Sequence, residues 1–223
     1  MNRGQDAKEE EAARARAALV RQLRARGDVV DPAVLEAFAV VPRHRFLKDQ
    51  PLSMAYADLA LPLAYGQTIS QPTMIGIMLD ALACRAEDRS LEVGAGCGYA
   101  AALLAQLTDH VDAIEIRQEL VEVARANLAE TGVHNVTVHL GNGTQGLPAR
   151  APFDCILVSA GAESVPTMLV DQLAPGGRIA LPVNDGLGQV LTIGVRDVGG
   201  RMTWRRSVRC LFVPLVTQTP PSS

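Results

Sequence analysis

The sequence predicts an α/β protein built on a doubly wound, mostly parallel sheet. From residue 88 onward, strand patterns and helix patterns alternate along the chain, which is typical of parallel strands with helices on both faces of the sheet. Glycine turns follow several of these strands, at the edge where such sheets bind ligands. Two final strand patterns, joined at Gly199-Gly200, predict a C-terminal antiparallel pair.

Helix signals dominate the N-terminal part of the chain. Residues 8–26 consist largely of Ala, Glu, Arg and Leu, which favour helix formation. The stretch "DPAVLEAFAVV" begins with an N-capping Asp and a Pro, so a second helix is predicted there. Residues 48–72 hold turn residues without a long periodic pattern, and we expect loop and short strands. An apolar helix is predicted from Thr73 to Ala83.

The alternating region supplies the elements of the predicted sheet. Five strands are predicted, at "RSLEVGAG" and "NVTVHLGNG", which both end in glycine turns, and at "HVDAIEI", "FDCILVSAG" and "RIALPV". The helices between them are predicted at "YAAALLAQL", at "QELVEVARANLAETG", which Gly132 ends, and at "VPTMLVDQLAPGG", which Pro-Gly-Gly ends. The terminal antiparallel pair comprises "QVLTIGVRDV" and "MTWRRSVRCLFVPL".

Composition and charge argue against several classes of protein. The chain of 223 residues has 21 Lys and Arg against 24 Asp and Glu, so no basic excess suggests nucleic acid or an anionic membrane as partner. No apolar run reaches the ~18 residues of a membrane span, and the N-terminus lacks the apolar region of a signal peptide. The four cysteines form no Cys-x-x-Cys pair and no metal pattern, so we expect reduced thiols, a cytoplasmic protein and no metal.

Three loops follow consecutive strands and suggest a nucleoside ligand. Gly94-Ala95-Gly96-Cys97-Gly98-Tyr99 has G-x-G-x-G spacing, which differs from both the dinucleotide and the P-loop motifs. Glu115 could accept hydrogen bonds from both ribose hydroxyls, and Asn142 between two glycines could reach an adenine edge. Each feature alone also fits a tight turn or a solvated charge. Together they suit S-adenosylmethionine better than NAD.

The chain resembles the protein-L-isoaspartate O-methyltransferases from about Val41 to Val216. The matching stretches are "VPRHRFL", "AYADLALPLAYGQTISQP", "LEVGAGCGYAAALLA", "EIRQELVEVARANL", "APFDCILVSAGAESVP", "QLAPGGRIALPV" and "FVPL". Of these, "GQTISQP" is the most specific, because general methyltransferases lack it. The resemblance implies a Rossmann-like methyltransferase fold and methyl transfer from S-adenosylmethionine to the α-carboxylate of L-isoaspartyl residues, which initiates the repair of damaged proteins and peptides.

The resemblance also implies which residues form the site. Ser70 is expected to be the catalytic contact to the acceptor carboxylate, with Ile69 and Ala160 beside the substrate. The expected cofactor-binding residues are Thr68, Ile69, Ser70, Glu92, Gly94, Ala95, Gly96, Gly98, Tyr99, Glu115, Asn142 and Gly143. We expect a monomer in one compact unit, with a helical, substrate-side extension at 1–86, a methyltransferase core at 87–216 and a disordered tail at 217–223.

Two departures from the family pattern leave alternatives open. Asn142 stands where the family usually has Asp, which predicts weaker cofactor binding, and Glu163 would repel an acceptor carboxylate if it pointed inward. Arg43 and His44 fit either a place near the active site or the charged end of a helix. The alternatives to repair are a related carboxyl methyltransferase with a dedicated peptide substrate and a non-catalytic homologue that binds S-adenosylmethionine.

Overall fold

The computed structural model describes residues 3–218. The α-helices found there are α1 Arg3–Arg26, α2 Pro32–Val40, α3 Leu52–Ala55, α4 Pro72–Leu82, α5 Tyr99–Leu104, α6 Gln118–Glu130 and α7 Thr167–Asp171. The strands are β1 Leu61–Pro62, β2 Thr68–Ile69, β3 Arg89–Val93, β4 His110–Glu115, β5 Val136–Leu140, β6 Phe153–Val158, β7 Leu173–Asn184, β8 Gln189–Arg196 and β9 Met202–Cys210. Short 3₁₀ turns lie at Arg43–Phe46, Ala64–Gly66 and Gly143–Gln145.

Seven of the described strands form the central sheet in the order β5-β4-β3-β6-β7-β8-β9. The strands from β5 to β7 are parallel, whereas β8 and β9 are antiparallel to their neighbours. Because β4 and β6 lie on opposite sides of β3, the chain changes direction at β3, which is where such sheets bind ligands. The predicted fold class and the C-terminal antiparallel pair are confirmed.

The apolar core continues from the N-terminal helices into the sheet. Its larger cluster includes Leu19 and Leu23 of α1, Phe38 of α2, and residues of α4, α5 and α6, together with sheet residues. A smaller cluster packs α7 against β3, β6 and β7, with Leu169 fully buried. The N-terminal helices therefore help to support the elements that carry the ligand-binding edge.

The structure differs from the sequence-based expectation at two elements. The helix predicted up to Pro-Gly-Gly is only α7, because Leu173 already pairs with Phe153 in the sheet. The ladder is then interrupted by a bulge and resumes where Arg178 pairs with Cys155. The short helix α3 lies where loop was expected. Of the predicted disordered tail, the part from 219 to 223 lies outside the described residues.

Candidate active site

A cavity lies at the carboxyl ends of β3, β4 and β6. It is bounded by the glycine loop, by the ends of these strands and by the C-terminal segment. Its lining residues are Gln67, Thr68, Val93, Gly94, Gly96, Ile114, Glu115, Ile116, Gly143, Ser159, Ala160, Val213, Pro214, Leu215 and Val216. We call it the nucleoside cavity, because the predicted ribose-binding carboxylate forms part of its wall.

Backbone N–H groups hold the carboxylate of Glu115 in a fixed orientation. Gly96 donates to Oε2 at 3.0 Å, and Ile116 and Arg117 donate to Oε1 at 2.9 and 3.1 Å. The residue is buried at the end of β4. These bonds fix both carboxylate oxygens in orientations from which they can accept hydrogen bonds from ligand hydroxyls.

A second, smaller cavity is lined in part by Ser70. Its lining residues are Leu63, Thr68, Ile69, Ser70, Gly94, Ala95, Gly96, Cys97, Tyr99, Ala100 and Ser159. Thr68, Gly94, Gly96 and Ser159 line this cavity and the nucleoside cavity alike. We call it the acceptor cavity, and the shared residues show that the two spaces adjoin.

The small hairpin β1–β2 delivers Thr68, Ile69 and Ser70 to the junction of the two cavities. Leu61 pairs with Ile69, and Pro62 pairs with Thr68, in an antiparallel ladder. Pro72 then starts α4 directly after this segment. The stretch "GQTISQP", which carries the most specific family resemblance, therefore lies where the two cavities meet.

Two titratable side chains, Cys97 and Tyr99, are found among the described residues that line the acceptor cavity. Burial raises the pKa of the Cys97 thiol to about 11. Burial also raises the pKa of the Tyr99 hydroxyl well above its usual range. Both groups stay protonated at neutral pH, so neither is suited to accept a proton from a substrate there.

Glu92 lies at the edge of these cavities but lines neither of them. Its Oε1 accepts a hydrogen bond from the Ser159 hydroxyl at 3.0 Å. Its Oε2 is buried and meets no hydrogen-bond partner among the described residues. Burial, together with the nearby charge of Glu115, raises the pKa of this carboxyl to about 8, although the hydrogen bond from Ser159 opposes the shift. A cationic ligand group nearby would favour the ionised form.

Asn142 and Gly143 form the turn after β5. The Asn142 side-chain oxygen accepts from the Thr144 N–H at 2.9 Å and from the Thr144 hydroxyl at 2.8 Å. Its single acceptor is therefore directed into the turn. Gly143 lines the nucleoside cavity, and a Cβ there would lie 2.5 Å from Cγ1 of Val93, so a side chain would displace the cavity wall.

Other residues singled out in the sequence lie away from the cavities. Gly98 begins α5 with a φ of +89°, and a Cβ there would contact Ala124 and Leu128 of α6 at 3.3 Å, so this glycine allows close helix packing. Glu163 accepts from Asn184 Nδ2 at 2.9 Å and is exposed, so it does not face the expected acceptor site.

The C-terminal segment forms a wall of the nucleoside cavity that the residue patterns in the sequence did not predict. Val213 to Val216 line the nucleoside cavity, and Gly161 exchanges two backbone hydrogen bonds with this segment. The Gly161 N–H donates to Val213 at 2.8 Å, and Leu215 donates to the Gly161 carbonyl at 2.7 Å. The matching stretch "FVPL" was a family signal, but no periodicity in the sequence placed it over the cavity.

The side chains and helices of residues 3–218 also bear on metals and membranes. Neither a cluster of three or more metal-ligating side chains nor a helix long and apolar enough to cross a membrane occurs in this part of the chain. Within this range, Glu115 is the charged side chain on the wall of the nucleoside cavity, and the acceptor cavity has none.

Comparison with known proteins places the chain among methyltransferases. The family model described as protein-L-isoaspartate(D-aspartate) O-methyltransferase matches residues 14–220. A protein-L-isoaspartate O-methyltransferase of Roseiflexus sp. (strain RS-1) is 47% identical over 201 residues, covering 90% of this chain and 91% of that protein. One from Aeropyrum pernix is 46% identical over 206 residues, covering 91% of this chain and 79% of that protein.

Solved structures agree with this assignment. A protein-L-isoaspartate O-methyltransferase superposes with a TM-score of 0.81 at 28% identity, covering 89% of this chain and 65% of the solved one. A Plasmodium falciparum protein assigned to the same enzyme, solved with S-adenosyl-L-homocysteine, gives a TM-score of 0.81 at 25% identity, covering 90% of this chain and 98% of that one. The chain belongs to the protein-L-isoaspartate(D-aspartate) O-methyltransferase family.

Proposed function

We propose that this chain transfers a methyl group from S-adenosylmethionine to the α-carboxylate of L-isoaspartyl residues in damaged proteins and peptides, which initiates their repair. The family match and the high identity of the relatives confirm the activity and the cofactor that the sequence predicted.

The observation that carries this proposal is the absence of a general base among the described residues that line the acceptor cavity. A carboxylate has a reference pKa of about 4, so it is already ionised at neutral pH. An amine acceptor, with a pKa of about 10, would need a base to remove its proton. Cys97 and Tyr99 keep their protons at neutral pH, so the cavity suits an acceptor that arrives ionised.

The residues present fit S-adenosylmethionine. Glu115 offers a fixed, buried carboxylate for ribose hydroxyls, and Gly94, Gly96 and Gly143 leave room for close approach of the ligand. Glu115 is the charged side chain that the described residues place on the cavity walls, and its negative charge suits a cationic ligand. When bound, S-adenosylmethionine supplies the methyl group and its sulfonium becomes a neutral thioether.

We assign the chain's own contribution to alignment and water exclusion. Ser70 orients the acceptor carboxylate through its hydroxyl, Ile69 lies beside it on the acceptor cavity, and Ala160 bounds the adjoining nucleoside cavity. A hydroxyl holds the acceptor without neutralising its charge, whereas a cationic clamp would stabilise the ground state and slow the attack. Alignment of reacting groups can contribute on the order of 7 kcal/mol or more in favourable cases.

We further propose a cytoplasmic monomer that works without nucleic acid or membrane partners. The four free cysteines fit a reducing compartment, and the net charge of −3 offers no basic excess for polyanions. We keep the division into an extension at 1–86 and a core at 87–216 as a proposal. A dedicated peptide substrate is less well supported than repair, because Glu163 is held at the surface by Asn184.

Replacement of the Ser70 hydroxyl tests this assignment. We expect Ser70→Ala to lower kcat for an isoaspartyl peptide by roughly tenfold to a hundredfold while the Kd for S-adenosylhomocysteine changes by no more than about twofold. Ser53→Ala, an exposed serine on α3, is the matched control and should behave as wild type. Full activity of Ser70→Ala would contradict the role of Ser70, and absence of transfer by the wild type would contradict the proposed function.

A further inference from the structure

We propose that Arg43 is a positioning residue, which holds Ser70 in place through its backbone and does not touch the substrate. This inference rests on the proposed function for the role of Ser70, but the contacts of Arg43 stand independently of it. Arg43 lies in the 3₁₀ turn Arg43–Phe46 and is fully buried. It lines neither the nucleoside cavity nor the acceptor cavity.

The guanidinium of Arg43 joins three separate backbone segments. Nε donates to the Ala55 carbonyl at 3.0 Å, and Nη2 donates to the Ser70 carbonyl at 3.0 Å and to the Leu59 carbonyl at 3.4 Å. The planar group thus ties the end of α3 to the segment that carries Ser70. A fork of fixed geometry suits this task because each nitrogen has its own direction.

The same guanidinium also contacts the acceptor cavity from behind. Its Cζ lies 4.8 Å from the centre of the Tyr99 ring, which lines that cavity and begins α5 directly after the glycine loop. Arg43 therefore connects the acceptor-side segment with the cofactor-side loop. A change in its position would alter the relative placement of the two groups that must align for transfer.

Burial of this charge indicates a specific role. Among the described residues, the hydrogen bonds of the Arg43 side chain go to backbone carbonyls and none goes to a carboxylate, and Nη1 is buried without a hydrogen-bond partner there. Burial accordingly lowers the pKa of Arg43 from its usual range, although the nearby Tyr99, Cys97 and Asp58 oppose this shift. A buried charge that is compensated mainly by carbonyl groups is unfavourable for folding, so packing alone gives no reason for it.

Asp58 restrains the same segment on the other side of Ser70. Its carboxylate accepts from the Thr73 N–H at 2.8 Å, from the Thr73 hydroxyl at 2.7 Å and from Gln71 Nε2 at 3.1 Å. Arg43 thus holds the carbonyl of Ser70, and Asp58 holds the residues that follow Ser70 in the chain. These restraints fix the backbone so that the Ser70 side chain lies on the acceptor cavity.

Arg43→Lys tests the proposal because lysine keeps the charge but carries all its donors on one nitrogen, so it does not reproduce the rigid fork that holds Ala55 and Ser70 from separate nitrogens. We expect kcat for an isoaspartyl peptide to fall roughly tenfold or more, and the Kd for S-adenosylhomocysteine to change by no more than about threefold. Arg45→Lys is the matched control. Arg45 is two residues away, lies at the surface and pairs with Glu9, so this variant should retain wild-type kcat.

A double variant separates positioning of Ser70 from general damage to the protein. If Arg43 acts through Ser70, Arg43→Lys should change kcat by no more than about twofold in a Ser70→Ala background, because the group it positions is gone. A loss as large as in the wild-type background would overturn the proposal.

Amide hydrogen exchange gives a readout that does not depend on turnover. We expect the amides of residues 68–75 to exchange about tenfold faster in Arg43→Lys than in Arg45→Lys or wild type, while those of β3 and β4 keep their rates. Equal exchange in all three proteins would overturn the proposal. If the wild type transfers no methyl group, the proposed function fails, and the exchange data still decide whether Arg43 holds this segment.

Discussion

Asn142→Asp should tighten cofactor binding. Asn142 has one side-chain acceptor oxygen, and in the structure that oxygen accepts both the N–H and the hydroxyl of Thr144. An aspartate at this position has two oxygens. One can keep the turn intact, and the second is then free to accept from the exocyclic amine of an adenine bound beside Gly143.

The size of the gain follows from the charge of the new acceptor. A hydrogen bond to a charged group contributes about 1.5–3 kcal/mol to stability, against about 0.5–1.5 kcal/mol for a neutral one. The difference is about 1 kcal/mol, and 1.4 kcal/mol corresponds to a factor of ten, so we expect affinity to rise roughly fivefold to tenfold.

Calorimetric titration with S-adenosylhomocysteine measures this gain. Gln145→Glu is the control for added negative charge, because it lies on the same turn with its side chain exposed. Titration with S-inosylhomocysteine, which lacks the amine, should show no gain in Asn142→Asp. Unchanged or weaker binding of S-adenosylhomocysteine, or an equal gain with the inosine compound, would refute this reasoning.

Three further predictions address the carboxyl behind the glycine loop, the turn after β5 and the acceptor. The pKa of Glu92 is raised to about 8 in the folded protein, so its contribution to stability is full below the unfolded value near 4.5 and is lost as pH rises through about 8. Between about pH 5 and about pH 8, the free energy of unfolding of Glu92→Gln should therefore rise relative to that of the wild type by on the order of a few kcal/mol. Thermal unfolding measures this difference, and a difference that stays constant with pH would contradict the prediction. Gly143→Ala should weaken S-adenosylhomocysteine binding about tenfold or more, since its Cβ would lie 2.5 Å from Val93; wild-type affinity in a titration would contradict the close approach. With both substrates saturating, kcat should be flat from about pH 6 to about pH 7.5, below the pKa of Glu92, because the acceptor is already ionised and Cys97 and Tyr99 keep their protons there; an ionisation near pH 7 in the rate profile would indicate a base.

Much of the sheet could be predicted because its elements have local signals. The strands β3 to β6 are apolar and end in turns, and α6 has clear helical spacing, so their types followed from periodicity. Residues 173–177 could not be assigned in this way. The sequence "LAPGG" continues a helical pattern and ends in a stop signal, but pairing of Leu173 with Phe153 extends the sheet instead.

The sequence predicted those site residues that directly follow strands. It did not predict those that reach the site through contacts between distant parts of the chain. Glu115 and the glycine loop lie at the strand ends, as their order in the chain predicts. The contact of Arg43 with Ser70 joins residues 27 positions apart, and Val213 reaches the cavity only because β9 returns the chain to Gly161. Such contacts leave no periodic pattern in the sequence.

The most direct test of the central claim compares two short peptides that differ at one position, which is L-isoaspartate in one and normal aspartate in the other. Both are incubated with the enzyme and S-adenosylmethionine carrying a labelled methyl group. We predict base-labile label in the isoaspartyl peptide alone, since a methyl ester on its α-carboxylate hydrolyses in base. Label in neither peptide, although the protein binds S-adenosylhomocysteine, or equal label in both, would contradict the account.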